Sequence, residues 1–542
     1  MRNQGNDDSH GSARFAEPGE IKASQLTNGQ GPVMGECPHT GSDLSLGANT
    51  AITTVAGAGS GKGRDVLQKM LMTYPGSVLV NDPKGEQAAG TVFNQINMGK
   101  KAYCINPCAL HTSAPWFMSR HRVNPLDILT ADSPTLTADI QVIMEMLIQS
   151  TPNAGGNTPF FEQKARHWCG AILHWLVLNY GSVTLPTLYS IINIIETDPV
   201  LWDQIIQTKL LLSPVESIRN TGAEMRNKRA TAGAGGEFSG IMSTINNNLN
   251  FLSDSGLSDC LSGSDFSLKN LTEENINVYL MVPPEYVSLW SSFLRVIIGV
   301  AMLYKQRAPG TSPVLFMIDE AAQLGHFEML ERAYTLGQGY GIRTWGVFQD
   351  IGQIIRHYGE AGPQTFLGSS QIRQVFGVRD YETAELISNM LGTQTVSYAN
   401  TMQQAESIRA KKHIINSLLS GSDPFAAAVE YKHYQQSSSY EEKRSKPLMA
   451  PEEIMQMPEQ QQILFISGIN CPPILANKTP YYQQKQLAGC YLPNPYYPPF
   501  DRITVPGLLR GNRFLTIRTE PVPDQLMHWP QYQQGIRAVI EK

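Results

Sequence analysis

The chain has 542 residues, 42% hydrophobic and 16% charged, which is enough for several domains with sizeable cores. Its 47 acidic and 42 basic side chains give a formal net charge of -5, so no overall basic excess marks it for nucleic acid and any polyanion contact has to be local. Seven cysteines, an odd number scattered from Cys37 to Cys490, argue against a disulfide framework and fit a reducing compartment.

Residues 1–45 are rich in Gly, Ser, Asn and Asp and are predicted to be irregular, with one short helix. Residues 1–12 are polar and lack the apolar core of a signal peptide. The β-branched run at 51–55 predicts a buried strand. A glycine cluster follows, then a helix over 65–73 and a second strand over 77–80, which ends at Asp82, Lys84 and Glu86. Strand, glycine loop, helix, strand is a βαβ unit and implies a parallel sheet. Cys104, Cys108 and His111 lie close together, but they lack a fourth ligand and the usual metal-site spacing.

Strand character is lost from 125 to 270. Residues 136–149, 161–180, 185–196, 201–212 and 238–252 carry apolar side chains at helical spacing. The polar, basic, glycine-rich stretch 219–237 reads as a mobile loop. Strands return at 278–282, 313–318, 344–348, 371–378 and 462–466, with a helix over 289–304. Residues 397–447 are Gln/Ser-rich and read as a loop or hairpin, and the Pro/Tyr-dense tail from 491 reads as irregular. No stretch reaches the ~20 apolar residues of a bilayer span. The resulting division is an irregular segment 1–45, an α/β domain in two parts (46–124 and 271–490), an all-α insertion 125–270 and a tail 491–542.

The motif AGAGSGKG at 56–63 follows a strand and opens a helix. Glycines there let backbone N–H groups wrap phosphate oxygens, and the helix N-terminus adds partial positive charge. Gly57, Ala58, Gly59, Ser60, Gly61, Lys62, Gly63 and Arg64 are the candidate phosphate contacts, with Lys62 supplying a point charge to the β- and γ-phosphates. A strict P-loop has Gly at Ala56 and Ser or Thr at Gly63, so Mg²⁺ has to rely on water and a second acidic site. That site is Asp319-Glu320, which ends an apolar run in a Walker B pattern. Asp319 is read as the metal-shell carboxylate and Glu320 as the residue that polarises the attacking water. Gln349 ends the next predicted strand, where it can orient that water or simply close the strand.

Ordered blocks extend the pattern: HGSARF at 10–15, PGSVLVNDPKGE at 75–86, NPLD at 124–127, SGIMS at 239–243, SGSDF at 262–266, VPP at 282–284, IDEA at 318–321, GYGI at 339–342 and KPLMAPEEI at 446–454. With these blocks the chain resembles the type IV secretion and conjugation coupling proteins, the TraG-like ATPases, over residues 10–490. The resemblance implies an α/β RecA-like P-loop domain with an inserted all-α domain. It also implies ATP and Mg²⁺ as ligands, hexameric rings at the base of a secretion channel, and recruitment of relaxase-bound DNA or protein effectors. Lys62 then becomes the Walker A lysine, Asp319 and Glu320 the Walker B pair, and Gln349 the motif glutamine. Arg343, Arg373 and Arg379 are candidates for an arginine lent to a neighbouring subunit, outside the core set.

Family members begin with two transmembrane helices, and none is visible here. The expectation is therefore a cytoplasmic form, peripheral to the inner face of the membrane, whose anchor is removed, supplied by a partner or not needed. Arg219, Arg226, Lys228 and Arg229 read as a solvated loop, with DNA contact in a channel as the alternative. Two other functions fit the motifs: a double-stranded DNA translocase unrelated to secretion, and a nucleotide-binding receptor that scarcely hydrolyses.

Overall fold

The computed structural model describes residues 11–29, 31–47, 50–151, 155–231, 236–399, 401–420, 423, 429, 432, 441–507 and 511–541. Its strands in chain order begin with β1 (Val33–Glu36), β2 (Asp43–Ser45), β3 (Ala51–Ala56), β4 (Ser77–Asn81) and β5 (Lys101–Ile105). They continue with β6 (Ile276–Leu280), β7 (Val314–Ile318), β8 (Ile342–Phe348), β9 (Ser370–Phe376), β10 (Thr393–Ala399) and β11 (Glu441–Pro447). The last are β12 (Gln461–Ile466), β13 (Ile474–Asn477), β14 (Arg502–Pro506), β15 (Asn512–Pro521) and β16 (Ile536–Ile540).

Among the described residues, eleven strands form one sheet in the order β2-β1-β13-β12-β9-β3-β8-β7-β4-β6-β5. From β9 to β5 every pair is parallel, and from β12 outward every pair is antiparallel. Strands β3, β4, β6 and β7 are buried at every position, β7 with Val314, Leu315, Phe316, Met317 and Ile318. A strand covered on both faces needs such a continuous apolar run. Alternate residues serve two cores. Ile52, Val78, Val80, Leu315, Met317, Trp345 and Val347 face one, beneath Val66, Met70 and Leu71 of the helix that follows the glycine loop. Val55, Leu79, Val278, Leu280, Phe316, Ile318 and Phe348 face the other.

Between β5 and β6 the chain leaves the sheet, and Val123 and Phe266 meet in an isolated bridge near the start and end of that excursion. Most of the excursion is helical: Leu136–Leu147, Thr158–Tyr180, Leu185–Thr197, Pro199–Ile205, Glu216–Ala230, Glu237–Leu249 and Ser255–Leu261. Its core residues, including Trp168, Leu173 and Trp202, are continuous with the second sheet core.

The structure corrects three expectations. The described part of residues 1–45 is not irregular apart from one helix, because besides Pro18–Ala23 it supplies β1 and β2 to the sheet edge. The stretch 219–237 is not a loop. Residues 219–230 continue the helix Glu216–Ala230, which buries Ile218, Gly222 and Met225, one position per turn on one stripe, and Glu237 opens the next helix. The charges that suggest a loop are held by tertiary partners: Arg229 donates to the Ile195 carbonyl at 2.6 Å, Arg219 to that of Ser213 at 2.8 Å, and Lys228 pairs with Glu237. The tail after 491 is not irregular either, since β14, β15 and β16 form an antiparallel sheet with Ile503, Val505 and Leu515 buried beneath it. In 397–447, β10 and β11 pair along seven positions and a helix spans Thr401–Leu419, while most of 421–440 lies outside the described residues.

Lys100, just before β5, is fully buried, with Nζ donating to the carbonyls of Gly76 at 2.5 Å and Tyr74 at 3.2 Å. Burial pulls its pKa down to about 7. An unfolded lysine keeps its proton to ~10.4, so above pH 7 the unfolded chain binds more protons and stability rises with pH. Denaturant midpoints measured at pH 7 and pH 9 are expected to show this rise, and Lys100→Met to flatten it.

Candidate functional site

The ladder brings three chain segments to one edge. Val55 pairs with Phe348 and Ile318 with Gly346, so β3, β8 and β7 run side by side and point the same way. Just beyond their C-terminal ends stand the glycine loop, Gln349 and Asp319-Glu320. In parallel sheets this edge forms the ligand crevice.

The loop turns through Gly59 and Gly61, both left-handed at φ 70° and 82°, which an ordinary residue adopts only at a cost. Ala58 and Gly59 form its exposed crest, while Gly57 and Ser60 are buried. The Ser60 hydroxyl donates to the Gly57 carbonyl at 2.7 Å and holds the turn closed. The helix then starts at Lys62, its first six residues π-wound, and continues to Thr73. Beneath the loop, Lys478 Nζ donates to the Ser60 carbonyl and to Asp65 Oδ2, each at 2.8 Å, with both side chains of the ion pair 1% exposed. Arg64 lies on the helix flank, paired with Asp65 at 2.5 Å and Glu459 at 2.6 Å.

Lys62 Nζ sits 3.5 Å from Asp319 Oδ1 and 3.4 Å from Glu320 Oε1. Burial raises the proton affinity of Asp319, while Lys62 opposes that shift. Asn81 Nδ2 fixes the Asp319 carbonyl at 2.8 Å. Glu320 is left-handed at φ 55° and ψ 49°, an uncommon state for a residue with a Cβ and one that clusters at functional sites. Gln323 donates to its carboxylate. Asp82 is buried on the same edge and accepts the Ala88 N–H at 2.8 Å. Burial, with Glu86 and Asp319 nearby, pushes its carboxyl up to about 8.

Gln349 is on this edge, with its backbone N–H bonded to Gln353 Oε1 at 3.0 Å. Arg343 is not near it. That residue lies at the N-terminal end of β8, bonded to the Tyr74 hydroxyl and the Gly47 carbonyl. Arg373 lies within β9 and bonds Ser467. Arg379 does lie against the loop, with Nη2 3.7 Å from where a Cβ on Gly59 would stand. His111 bonds the Lys84 carbonyl, and Cys104 is buried in β5 with its thiol pushed up to about 12.

Gln87 escaped the sequence reading. Its amide is fully buried and neither polar atom has a hydrogen-bond partner. Its Nε2 is 2.9 Å from where a Cβ on Gly63 would stand. An unmet amide thus occupies the neighbourhood of the hydroxyl that a strict P-loop carries. Its position directly after Glu86 was the available signal.

A family model described as Type IV secretory system Conjugative DNA transfer matches residues 14–497. The chain belongs to this family. The type IV secretion system-coupling protein VirD4 of Bartonella quintana (strain Toulouse) is 26% identical over 476 residues, covering 86% of this chain and 67% of the relative. The chain thus spans about two thirds of that relative's length. The solved bacterial conjugative coupling protein TrwBdeltaN70, in its unbound monoclinic form, superposes with a TM-score of 0.57 at 15% identity, over 86% of this chain and 92% of that one. The plasmid coupling protein TrwB in complex with ADP and Mg²⁺ gives a TM-score of 0.56 at 15% identity, over 86% and 93%. These structures establish the expected fold, a RecA-like P-loop domain with an all-α insertion. No helix among the described residues of this coupling-family chain is long and apolar enough to cross a membrane.

The family's glycine loop leans on the strand beside it. A Cβ on Gly57 would stand 2.2 Å from the Gly377 carbonyl oxygen, and backbone cannot swing aside. Gly57→Ala is expected to lower stability in denaturant titrations by about 1–3 kcal/mol. Gly19→Ala, where an added Cβ meets nothing within 4 Å, should leave it unchanged.

Proposed function

We propose that this coupling protein of conjugative DNA transfer is a P-loop ATPase whose turnover drives relaxase-bound DNA or protein substrates into a type IV secretion channel. The observation that carries the reading is the placement of Lys62 Nζ between Asp319 and Glu320, at the foot of a glycine loop that opens a helix. Backbone N–H groups from Gly57 to Gly63 hold the phosphates, and Lys62 moves its charge from the acidic pair to the β- and γ-oxygens. Glu320, positioned by its left-handed turn and by Gln323, accepts the proton of the attacking water. Gln349 orients that water.

The residues fit Mg²⁺. Asp319 would hold its hydration shell, and the unpartnered Gln87 amide beside Gly63 would meet a shell water or a phosphate oxygen. When bound, the cation neutralises charge that develops on the transferring phosphoryl group. No ready-made cluster of three metal-ligating side chains occurs among the described residues, which suits an ion that keeps waters and takes few carboxylates.

Assembly as a hexamer and docking on channel components belong to the same proposal, supported by the family. So does the division at 124/125 and 270/271, supported by the helical excursion between β5 and β6. The family match disfavours a translocase unrelated to secretion.

ATP turnover measured against protein concentration, with and without single-stranded DNA, tests the motor. Turnover should rise more than linearly with protein and respond to DNA. Lys62→Ala should abolish it, and Glu320→Gln should lower kcat by roughly 100-fold or more while ATP still binds. Equal turnover in wild type and Glu320→Gln would instead identify a nucleotide-binding receptor.

A further inference from the structure

The cavity at the glycine loop does not end with the phosphate contacts. It encloses about 620 Å³ and runs from Gly61, Lys62 and Arg64 to a second wall made by Tyr482, Tyr497 and Arg502. Gln68 also lines it, on the helix that the loop opens.

The second wall is a built part of the molecule. Asn494 Nδ2 donates to Glu86 Oε2 at 3.1 Å, the Tyr496 hydroxyl to the Lys84 carbonyl at 2.9 Å, and Trp116 Nε1 to the Pro493 carbonyl at 2.8 Å. Tyr481 is buried, with its ring 4.7 Å from Tyr491 and 5.4 Å from Tyr482, edge to face in both pairs. This cluster fixes the Tyr482 ring, which is nevertheless 36% exposed, and Tyr497 is 72% exposed. The Arg502 guanidinium is laid over the Phe514 ring at 5.3 Å. Arg502 stands beyond the residues matched by the family model.

We propose that Tyr482, Tyr497 and Arg502 form the subsite for the base and ribose of the nucleoside triphosphate, with the base stacked on tyrosine. The inference rests on the nucleotide reading of the glycine loop. Exposed aromatic rings on a concave wall offer a π-face that any base can cover, and a guanidinium adds a planar donor edge. Tyr482, held against Tyr481, has little ordering left to undergo on binding.

Calorimetric titration with Mg-ATP and with inorganic tripolyphosphate separates the two halves of the cavity. In Tyr482→Ala/Tyr497→Ala the Kd for ATP should rise about tenfold while that for tripolyphosphate stays within about twofold. Tyr482→Phe, which keeps the ring, should retain wild-type ATP affinity. Lys62→Ala should weaken both ligands. Unchanged ATP affinity in the double variant would overturn the subsite, and tighter ATP binding would too, because the wall would then shield the site. Equal losses for both ligands would also overturn it, since the tyrosines would then only shape the loop. If wild type bound neither ligand, the nucleotide reading of the loop would fall, and the subsite with it.

Discussion

Strands buried on both faces have to pair every backbone N–H and C=O within the sheet. β3, β8 and β7 meet that demand as parallel neighbours, and their register sets everything at the site. Lys62, Asp319 and Gln349 are far apart in sequence, yet each follows the C-terminal end of one of these strands. No affinity between the polar groups is needed to assemble them. Apolar runs such as Val314–Ile318 bury the strands, and the ladder then delivers the polar ends to one edge.

A second constraint keeps the glycine loop in shape. Gly57 touches the Gly377 carbonyl from one side, and Lys478 grips the Ser60 carbonyl and Asp65 from below. A buried ion pair adds little net stability over an apolar pair, but losing one partner strands the other charge. Its effect here is positional. In the proposed nucleotide site the loop's donors would then stand ready before a ligand arrives, which is what electrostatic stabilisation of developing charge requires.

The sheet and the loop were legible because their signals are local: β-branched runs, glycines at fixed spacing, an acidic pair after an apolar strand. The features that were not legible depend on partners distant in sequence. The helix Glu216–Ala230 looks like a loop because only Ile218, Gly222 and Met225 are buried, and its basic residues find partners as remote as Ile195. The tail was read from its Pro and Tyr content, yet Gln531 accepts the Ala102 N–H at 3.1 Å and His121 meets the Pro530 carbonyl at 3.0 Å. Neither contact leaves a trace in local composition. Gln87 is one of three amides in its helix, and only the space beside Gly63 gives it meaning.

The charge balance of the edge bears on how a polyphosphate is held. Asp82, Glu86, Asp319 and Glu320 share this edge, the last two beside Lys62, and on composition alone the edge would repel an anion. Burial changes that count. Asp82, with its carboxyl near 8, is largely neutral at pH 7, and Asp319 is biased the same way. Lys62 stands against Asp319 and Glu320, and on the flank Arg64 is already paired with Asp65 and Glu459. In the proposed site, phosphate oxygens that drew Lys62 away would leave the acidic pair without its counter-charge and raise its affinity for a divalent cation. Phosphate and cation would then favour one another at this edge, with Lys62 as the group whose movement couples them.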